Sequence, residues 1–161
     1  MSDRVATNPV KMAENWRVAM TALSNLFLTT HRTMTQAAPI GPTELLIYIT
    51  VSVANVQKLM RERVIPECYA ATEILPREWV VPISRNAIAT ASGLPRETVR
   101  RRVATMIETG ILIEDPRGGV TVPIGVIKDR GFEPLLEAMM TDFARTAEAL
   151  LRIGVIEIRR D

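Results

Sequence analysis

The chain has 161 residues, 47% of them apolar, and its 20 Lys and Arg against 18 Asp and Glu leave a formal net charge of +2. This is enough for one ordinary domain, or a small domain with helical extensions, around a hydrophobic core. The single cysteine, Cys68, excludes an intramolecular disulfide and a multi-cysteine metal site. No secretion signal is visible, and the longest apolar run, residues 45–56, is too short and polar to span a bilayer. We expect a cytoplasmic protein with no membrane segment, cofactor or metal.

The basic residues are almost all Arg, since Lys occurs only at Lys11, Lys58 and Lys128. The planar guanidinium group of Arg suits phosphate oxygens and guanine edges. A GC-rich genome would enrich Arg equally well without any function. The positions of the Arg residues therefore matter more than their number.

Two helices are predicted in the first part of the chain. Residues 12–35 read as one long helix, and a second runs from a cap at Thr43 to Pro66. The β-branched residues in the second segment would also suit a strand, but its length favours a buried central helix. The apolar face of the first helix carries Trp16, Met20, Leu23, Phe27 and Met34.

Connectors flank the central part of the chain. Residues 67–82 are predicted to be a connector with a short strand near residues 79–81, and residues 123–131 a second connector. A last amphipathic helix covers residues 133–153 and ends at Gly154. Its apolar seam carries Phe132, Leu136, Met139, Phe143, Leu150 and Ile153.

The most informative stretch is residues 83–122, ISRNAIATASGLPRETVRRRVATMIETGILIEDPRGGVTV. Ser84 can cap a short helix over residues 85–91, and Gly93 supplies the positive φ that a tight interhelical turn often requires. Pro95 opens the next helix, residues 95–109, where a missing N–H costs little.

In the second helix, residues 95–109, apolar and charged side chains fall on different sides of the helix axis. Apolar residues such as Val99 and Val103 should pack inward, while Arg101 and Thr105 project outward and other Arg residues flank them. A helix with four Arg in its first half fits a major groove. The alternative is a solvated charged face with ion pairs such as Glu97 to Arg101.

A hairpin is predicted directly after this helix. Strands over residues 111–114 and 120–122 enclose a turn at residues 115–119 that contains Pro and two Gly. Arg117 at the tip could reach a minor groove or a phosphate, or could be an ordinary surface residue.

The stretch IATASGLPRETVRRRVATMIETGILIEDPRGGVTV resembles the winged helix-turn-helix domain of bacterial transcriptional regulators, in the pattern shared by the IclR and MarR groups. IclR-type proteins begin with this domain and continue into a large ligand-binding domain, which we do not expect in this chain. Flanking helices are similar to the MarR arrangement, in which terminal helices pair two subunits, although the wing signature differs. The resemblance implies that Arg96, Glu97, Thr98, Arg100 and Arg101 occupy recognition-helix positions and that Arg117 occupies the wing. The DNA-binding candidates are these residues together with Ser84, Arg85, Arg102 and Thr105.

The expected fold is mainly α with a small β-hairpin wing, a winged helix-turn-helix flanked by long N- and C-terminal helices. The expected domains are residues 1–66, 67–125 and 126–161. The expected function is a sequence-specific regulator that binds double-stranded DNA as a homodimer, because dimers read two half-sites about one DNA turn apart. Either terminal helix could pair two copies or pack on its own chain. The alternative is a winged-helix module that binds proteins without DNA.

Catalysis is not expected. His31 is the only histidine, Glu114 and Asp115 are neighbours whose side chains point to opposite faces of a strand, and PRGGV is not a phosphate loop. An effector site has no distinctive residue to support it. Trp16, Phe27 and Tyr48 could line a cavity, but aromatic residues at helical spacing are usually core.

Overall fold

The computed structural model describes residues 3–37, 40–71, 73–126 and 132–160. This part of the chain is mainly helical and contains two separate two-stranded antiparallel sheets. In chain order, its elements are β1 (Asp3–Thr7), α1 (Pro9–Glu14), α2 (Trp16–Ala37), α3 (Pro42–Asn55), α4 (Gln57–Met60), α5 (Glu67–Ala70), α6 (Arg85–Ser92), α7 (Arg96–Glu108), β2 (Ile113–Glu114), β3 (Val120–Thr121), α8 (Glu133–Arg152) and β4 (Ile156–Arg160).

The chain forms two compact units. Residues 1–37 and 133–161 form the terminal unit, and residues 38–132 form the middle unit. This division differs from the expected boundaries after residues 66 and 125. The reason is that α3 shares a core with α6 and α7, so that it belongs with the central helices.

In the terminal unit, α2 packs against α8, and β1 pairs with β4 from Asp3 opposite Arg160 to Thr7 opposite Ile156. The sequence analysis predicted neither strand. The pairing joins segments from opposite ends of the sequence, and no local pattern reveals such a contact.

The long helix predicted over residues 12–35 is interrupted at Asn15, which separates α1 from α2. Asn15 has φ −117° and ψ 24°, outside the helical range, and its side-chain amide donates to the carbonyl of Lys11 at 3.0 Å. The backbone amide of Asn15 also donates to this carbonyl at 3.0 Å, so that two donors of one residue share it at the end of α1. Asn commonly makes such local side-chain to backbone bonds at helix ends. At the other end of the unit, α8 agrees with prediction to within one residue and is followed by Gly154 at φ +70°.

The core of the middle unit lies between α3, α6, α7 and the hairpin. Ile47 and Val51 of α3 are fully buried, which confirms that this segment is the buried central helix. The buried cluster consists of Ile47, Val51, Ile88, Ala89, Val99, Val103, Met106, Leu112 and Val120.

Both predicted ends of α3 were wrong. The N-cap is Gly41, with Pro42 as the first helical residue, so that Thr43 lies inside the helix. The helix ends at Asn55 rather than at Pro66, because the carbonyl of Asn55 accepts from the amide of Val81 at 3.0 Å and the next residue, Val56, leaves helical geometry.

The first connector contains the short helix α5, and its predicted strand is absent, since residues 77–79 form a turn. The pairing occurs later, as a single bridge between Ile83 and Val120. Residues 127–131 of the second connector lie outside the described residues.

Candidate nucleic-acid interface

The corner between α6 and α7 is built as its residue types predict. The side chain of Ser84 accepts a hydrogen bond from the amide of Ala87 at 3.2 Å and caps α6. Gly93 ends α6 with φ +71°, a conformation that costs glycine little. Leu94 packs against the core. Pro95 is the N-cap of α7, with φ −58° and ψ 137°, and not its first helical residue as predicted, so that α7 is one residue shorter at each end than the predicted helix over residues 95–109. The corner thereby fixes the direction in which α7 leaves the core.

Helix α7 has one buried and one exposed side. Val99, Val103 and Met106 are buried at helical spacing against the core. The side chains on the remaining surface are mostly charged and exposed. They are Arg96, Glu97, Arg100, Arg101, Thr105 and Glu108.

The hairpin after α7 is shorter than predicted, with two residues in each strand. Its turn is closed by hydrogen bonds between Asp115 and the two glycines that follow, Gly118 and Gly119, both at positive φ. Ile83, next to the start of α6, exchanges two backbone hydrogen bonds with Val120, at 3.1 and 2.9 Å. The hairpin is therefore tied to the residue that precedes the cap of α6.

Gly119 makes a close approach that depends on its lack of a side chain. A Cβ atom there would lie 2.7 Å from the carbonyl oxygen of Ile83, closer than such atoms approach one another. The bridge between Ile83 and Val120 consequently requires glycine at this position.

Asn55 links the end of α3 to the base of the hairpin, a role that the sequence analysis did not assign. Its buried side-chain amide donates to the carbonyl of Val81 at 2.8 Å and its oxygen accepts from the amide of Val122 at 2.9 Å. The sequence contained a signal for this role, since Asn55 is an amide inside the apolar run 45–56. A buried side-chain amide needs hydrogen-bond partners, such as these two backbone groups.

Arg117 folds back instead of extending from the tip. Its guanidinium donates to both carboxylate oxygens of Asp115 at 2.9 Å, and also to the carbonyls of Arg77 and Val80 at 3.2 and 3.0 Å. The side-chain and backbone hydrogen bonds from Arg117 hold the pKa of Asp115 well below its usual range. Arg77 lies 3.5 Å from the same carboxylate and was not predicted to take part.

Two further candidates form exposed or half-exposed ion pairs. Arg100 donates to Glu97 at 2.6 Å, an i, i+3 pair instead of the i, i+4 pair considered for Arg101. The hydrogen bond from Arg100 lowers the pKa of Glu97, and that of Arg100 is raised in return. Arg85 pairs with Glu114 of β2 at 2.6 Å, which attaches α6 to the hairpin.

Arg102 is turned toward α3. It donates to Glu44 at 2.6 Å, and its Nε atom is buried without a hydrogen-bond partner among the described residues. Arg102 therefore contributes to the packing of α7 on α3.

Arg96 and Arg101 differ from these residues. Both are exposed, and within the described ranges neither guanidinium forms an ion pair or a hydrogen bond. Of the remaining candidates, Thr98 is half-buried, and the exposed Thr105 donates its hydroxyl to the carbonyl of Arg101 at 3.4 Å.

The described residues contain no group of three His, Cys, Asp or Glu side chains placed to hold a metal ion. Among the helices in the described ranges, none alone is both long and apolar enough to cross a membrane, and only α2 and α3 counted together pass that test. Trp16 and Phe27, considered for a cavity with Tyr48, lie exposed on α2, while Tyr48 packs against the core of the middle unit.

Comparison of the chain with protein-family models, curated proteins and solved structures found no significant match.

Proposed function

We propose that the protein is a sequence-specific DNA-binding transcriptional regulator that acts as a homodimer. In this proposal the middle unit is a winged helix-turn-helix, with α7 in the major groove and the hairpin on the adjacent backbone or minor groove. The observation that carries it is the pair Arg96 and Arg101, two exposed guanidinium groups that form no ion pair or hydrogen bond within the described residues. Arg101 projects from the side of α7 opposite the buried one, and Arg96 is exposed beside it at the start of the helix. Such groups suit guanine edges and phosphate oxygens.

The other candidate Arg residues differ in what they would lose by leaving their present partners to bind DNA. The pairs of Arg100 with Glu97 and of Arg85 with Glu114 are solvent-exposed, and such pairs contribute little to stability. These two Arg residues can exchange a carboxylate for a phosphate at small cost. Arg117 would have to give up several hydrogen bonds, so that we assign it to holding the hairpin instead of contacting DNA.

A protein-binding module remains the second candidate, because apolar side chains are exposed close to the hairpin. Ile113 of β2 and Ile124 just beyond β3 are both exposed. A protein partner would cover such side chains, whereas a DNA backbone would not.

Electrophoretic mobility shift with genomic fragments, including the promoter region of the protein's own gene, tests the proposal. The unmodified protein is compared with Arg96→Ala/Arg101→Ala and with Arg61→Ala/Arg63→Ala, which removes the same charge from exposed positions of the same unit. Since a good base contact contributes about 1–3 kcal/mol, the first variant should lose at least about tenfold in affinity for its preferred fragment, and the second much less. Equal binding by both variants would remove α7 from the interface.

Salt dependence separates the two candidates. If each copy neutralises about four phosphates, a homodimer should show a slope of log affinity against log salt near −7. The protein-binding module would be favoured by a different result. In that case no DNA fragment would bind at low salt, and the slope of log affinity against log salt for a protein partner would be near zero.

A further inference from the structure

The terminal unit buries little of its own apolar surface. Within its described residues, the only buried apolar side chains are Ala19, Leu150 and Val155. Ten large apolar side chains of the same two helices are 39–69% exposed. Val18 and Leu28 lie on other sides of α2, and the remaining eight share one side of each helix. We call them the apolar face: Trp16, Met20, Leu23 and Phe27 on α2, and Leu136, Met140, Phe143 and Leu151 on α8. A helix pair normally buries its apolar stripe against another element, and the described residues of the terminal unit supply none for this face.

The exposed residues form one stripe on each helix. On α2 they follow a spacing of four, three and four residues, which keeps them on one side. At about 100° per residue, this stripe lies roughly 90° around the helix from the side that carries Ala19 and Ala22. On α8 the stripe also lies roughly 90° around the helix from the packed side, which carries Leu150 and Met139. On both helices the rotation from the packed side to the stripe follows the direction in which the residue number increases.

The two stripes lie on the same side of the helix pair. Ala19, near the start of α2, shares a cluster with Leu150, near the end of α8, so that the helices run antiparallel. Both helices are right-handed, and rotations of the same sense on antiparallel helices bring both stripes to one side. The apolar face is therefore continuous across α2 and α8.

Its size and charge fit a second copy of the chain. A large side chain has roughly 150–200 Å² of surface, so that eight of them about half exposed offer roughly 800 Å², the amount one partner contributes to a stable protein interface. Among its ionisable residues, α2 carries Arg17, His31 and Arg32 but no carboxylate. Helix α8 carries four acidic residues against two Arg. A two-fold axis parallel to the two helices would set α2 of one copy over the oppositely charged α8 of the other.

We propose that the apolar face is the surface on which a second copy docks about a two-fold axis, so that four helices from two chains complete the core of both terminal units. The inference rests on the homodimer of the proposed function and adds the surface that forms it. It does not depend on whether the middle unit contacts DNA.

Two adjacent residues give a matched test. Phe27 is 69% exposed and lies on the apolar face, while Leu28 is 61% exposed and lies on another side of α2. Light scattering should give the unmodified chain twice its 17.9 kDa. Phe27→Glu should weaken the dimer by at least tenfold, roughly the effect of 1.4 kcal/mol, because it would bury a carboxylate in the interface. Leu28→Glu should leave the dimer unchanged.

A monomeric unmodified chain at micromolar concentration would overturn the inference, and so would equal effects of the two substitutions. If Phe27→Glu unfolds the terminal unit, the inference is tested on the unmodified chain by its thermal unfolding. Its Tm should rise with protein concentration when dimerisation is coupled to folding, and a constant Tm counts against the inference. A dimer that binds no DNA would remove the proposed DNA binding alone, whereas a monomer that binds DNA would remove this inference and the homodimer but leave the proposed DNA binding standing.

Discussion

The guanidinium group of Arg102 on α7 donates to the carboxylate of Glu44 on α3 at 2.6 Å. The carboxylate is largely shielded from solvent, and the Arg102 side chain is partly shielded. An Arg in the middle of the basic helix is thereby committed to holding that helix on the core, while its neighbour Arg101 stays free of partners within the described residues.

This pairing predicts different effects for the two neighbours. Arg102→Ala should lower the free energy of unfolding by about 1 kcal/mol, since a charged hydrogen bond of moderate exposure is lost. Arg101→Ala should leave stability unchanged and weaken DNA binding. Urea unfolding of both variants, with Glu44→Ala to complete a double-mutant cycle, measures the coupling. A coupling energy of zero between Arg102 and Glu44 would contradict the assignment.

Gly119→Ala should detach the hairpin from Ile83. Its φ of +87° is unfavourable for alanine, and the added Cβ would meet the Ile83 carbonyl at 2.7 Å. We expect a loss of about 2–3 kcal/mol in urea unfolding, against about 1–2 kcal/mol for Gly118→Ala, which shares the positive φ but has open space around it. Equal losses for the two variants would show that the close approach is unimportant.

Asn55→Ala should destabilise the middle unit strongly. The change leaves the carbonyl of Val81 and the amide of Val122, both partly buried, without their side-chain partner. A buried group left unsatisfied costs about 1–3 kcal/mol, so that we expect a total loss of about 2–4 kcal/mol. Ser52→Ala, which removes a hydroxyl bonded only within α3, is the control and should cost less than half as much.

Asp115 should make stability depend on acid. Hydrogen bonds from Arg117 lower its pKa in the folded protein below the ordinary value of 3.8. The folded state therefore binds the proton less readily than the unfolded state, and the stabilisation is present above about pH 4 and is lost as pH falls below it. Asp115→Asn should lower Tm at pH 7, and this difference should shrink between pH 4 and pH 2. A difference independent of pH would exclude the carboxylate as its cause.

The corner before α7 was predicted correctly because each signal acts over a few residues. The Ser84 cap, the positive φ of Gly93 and the inward spacing of Val99 and Val103 all follow from residue type and helical periodicity. The orientations of the Arg side chains could not be predicted from the sequence. Whether an Arg pairs with a residue three or fifty-eight positions away depends on which carboxylate the fold brings within reach.

The terminal unit was less predictable for a related reason. The apolar periodicity of α2 and α8 indicated helices with one apolar side but not which surface would cover it. The pairing of Val5 with Ile158 in the ribbon of β1 and β4 joins residues from the two ends of the sequence. The interruption at Asn15 is a change of the backbone angles of one residue within a run that otherwise favours a helix.

The pairing of β1 with β4 also determines the order in which the two units can fold during synthesis. Strand β1 and helix α2 emerge from the ribosome first, but β4 and α8 follow only after the whole middle unit has been made. Domains generally fold as units when their segments become available, so that the middle unit can fold while the terminal unit is still incomplete. During this interval α2 has no α8 to pack against, and Ala19 stays without the Leu150 contact that buries it in the finished unit.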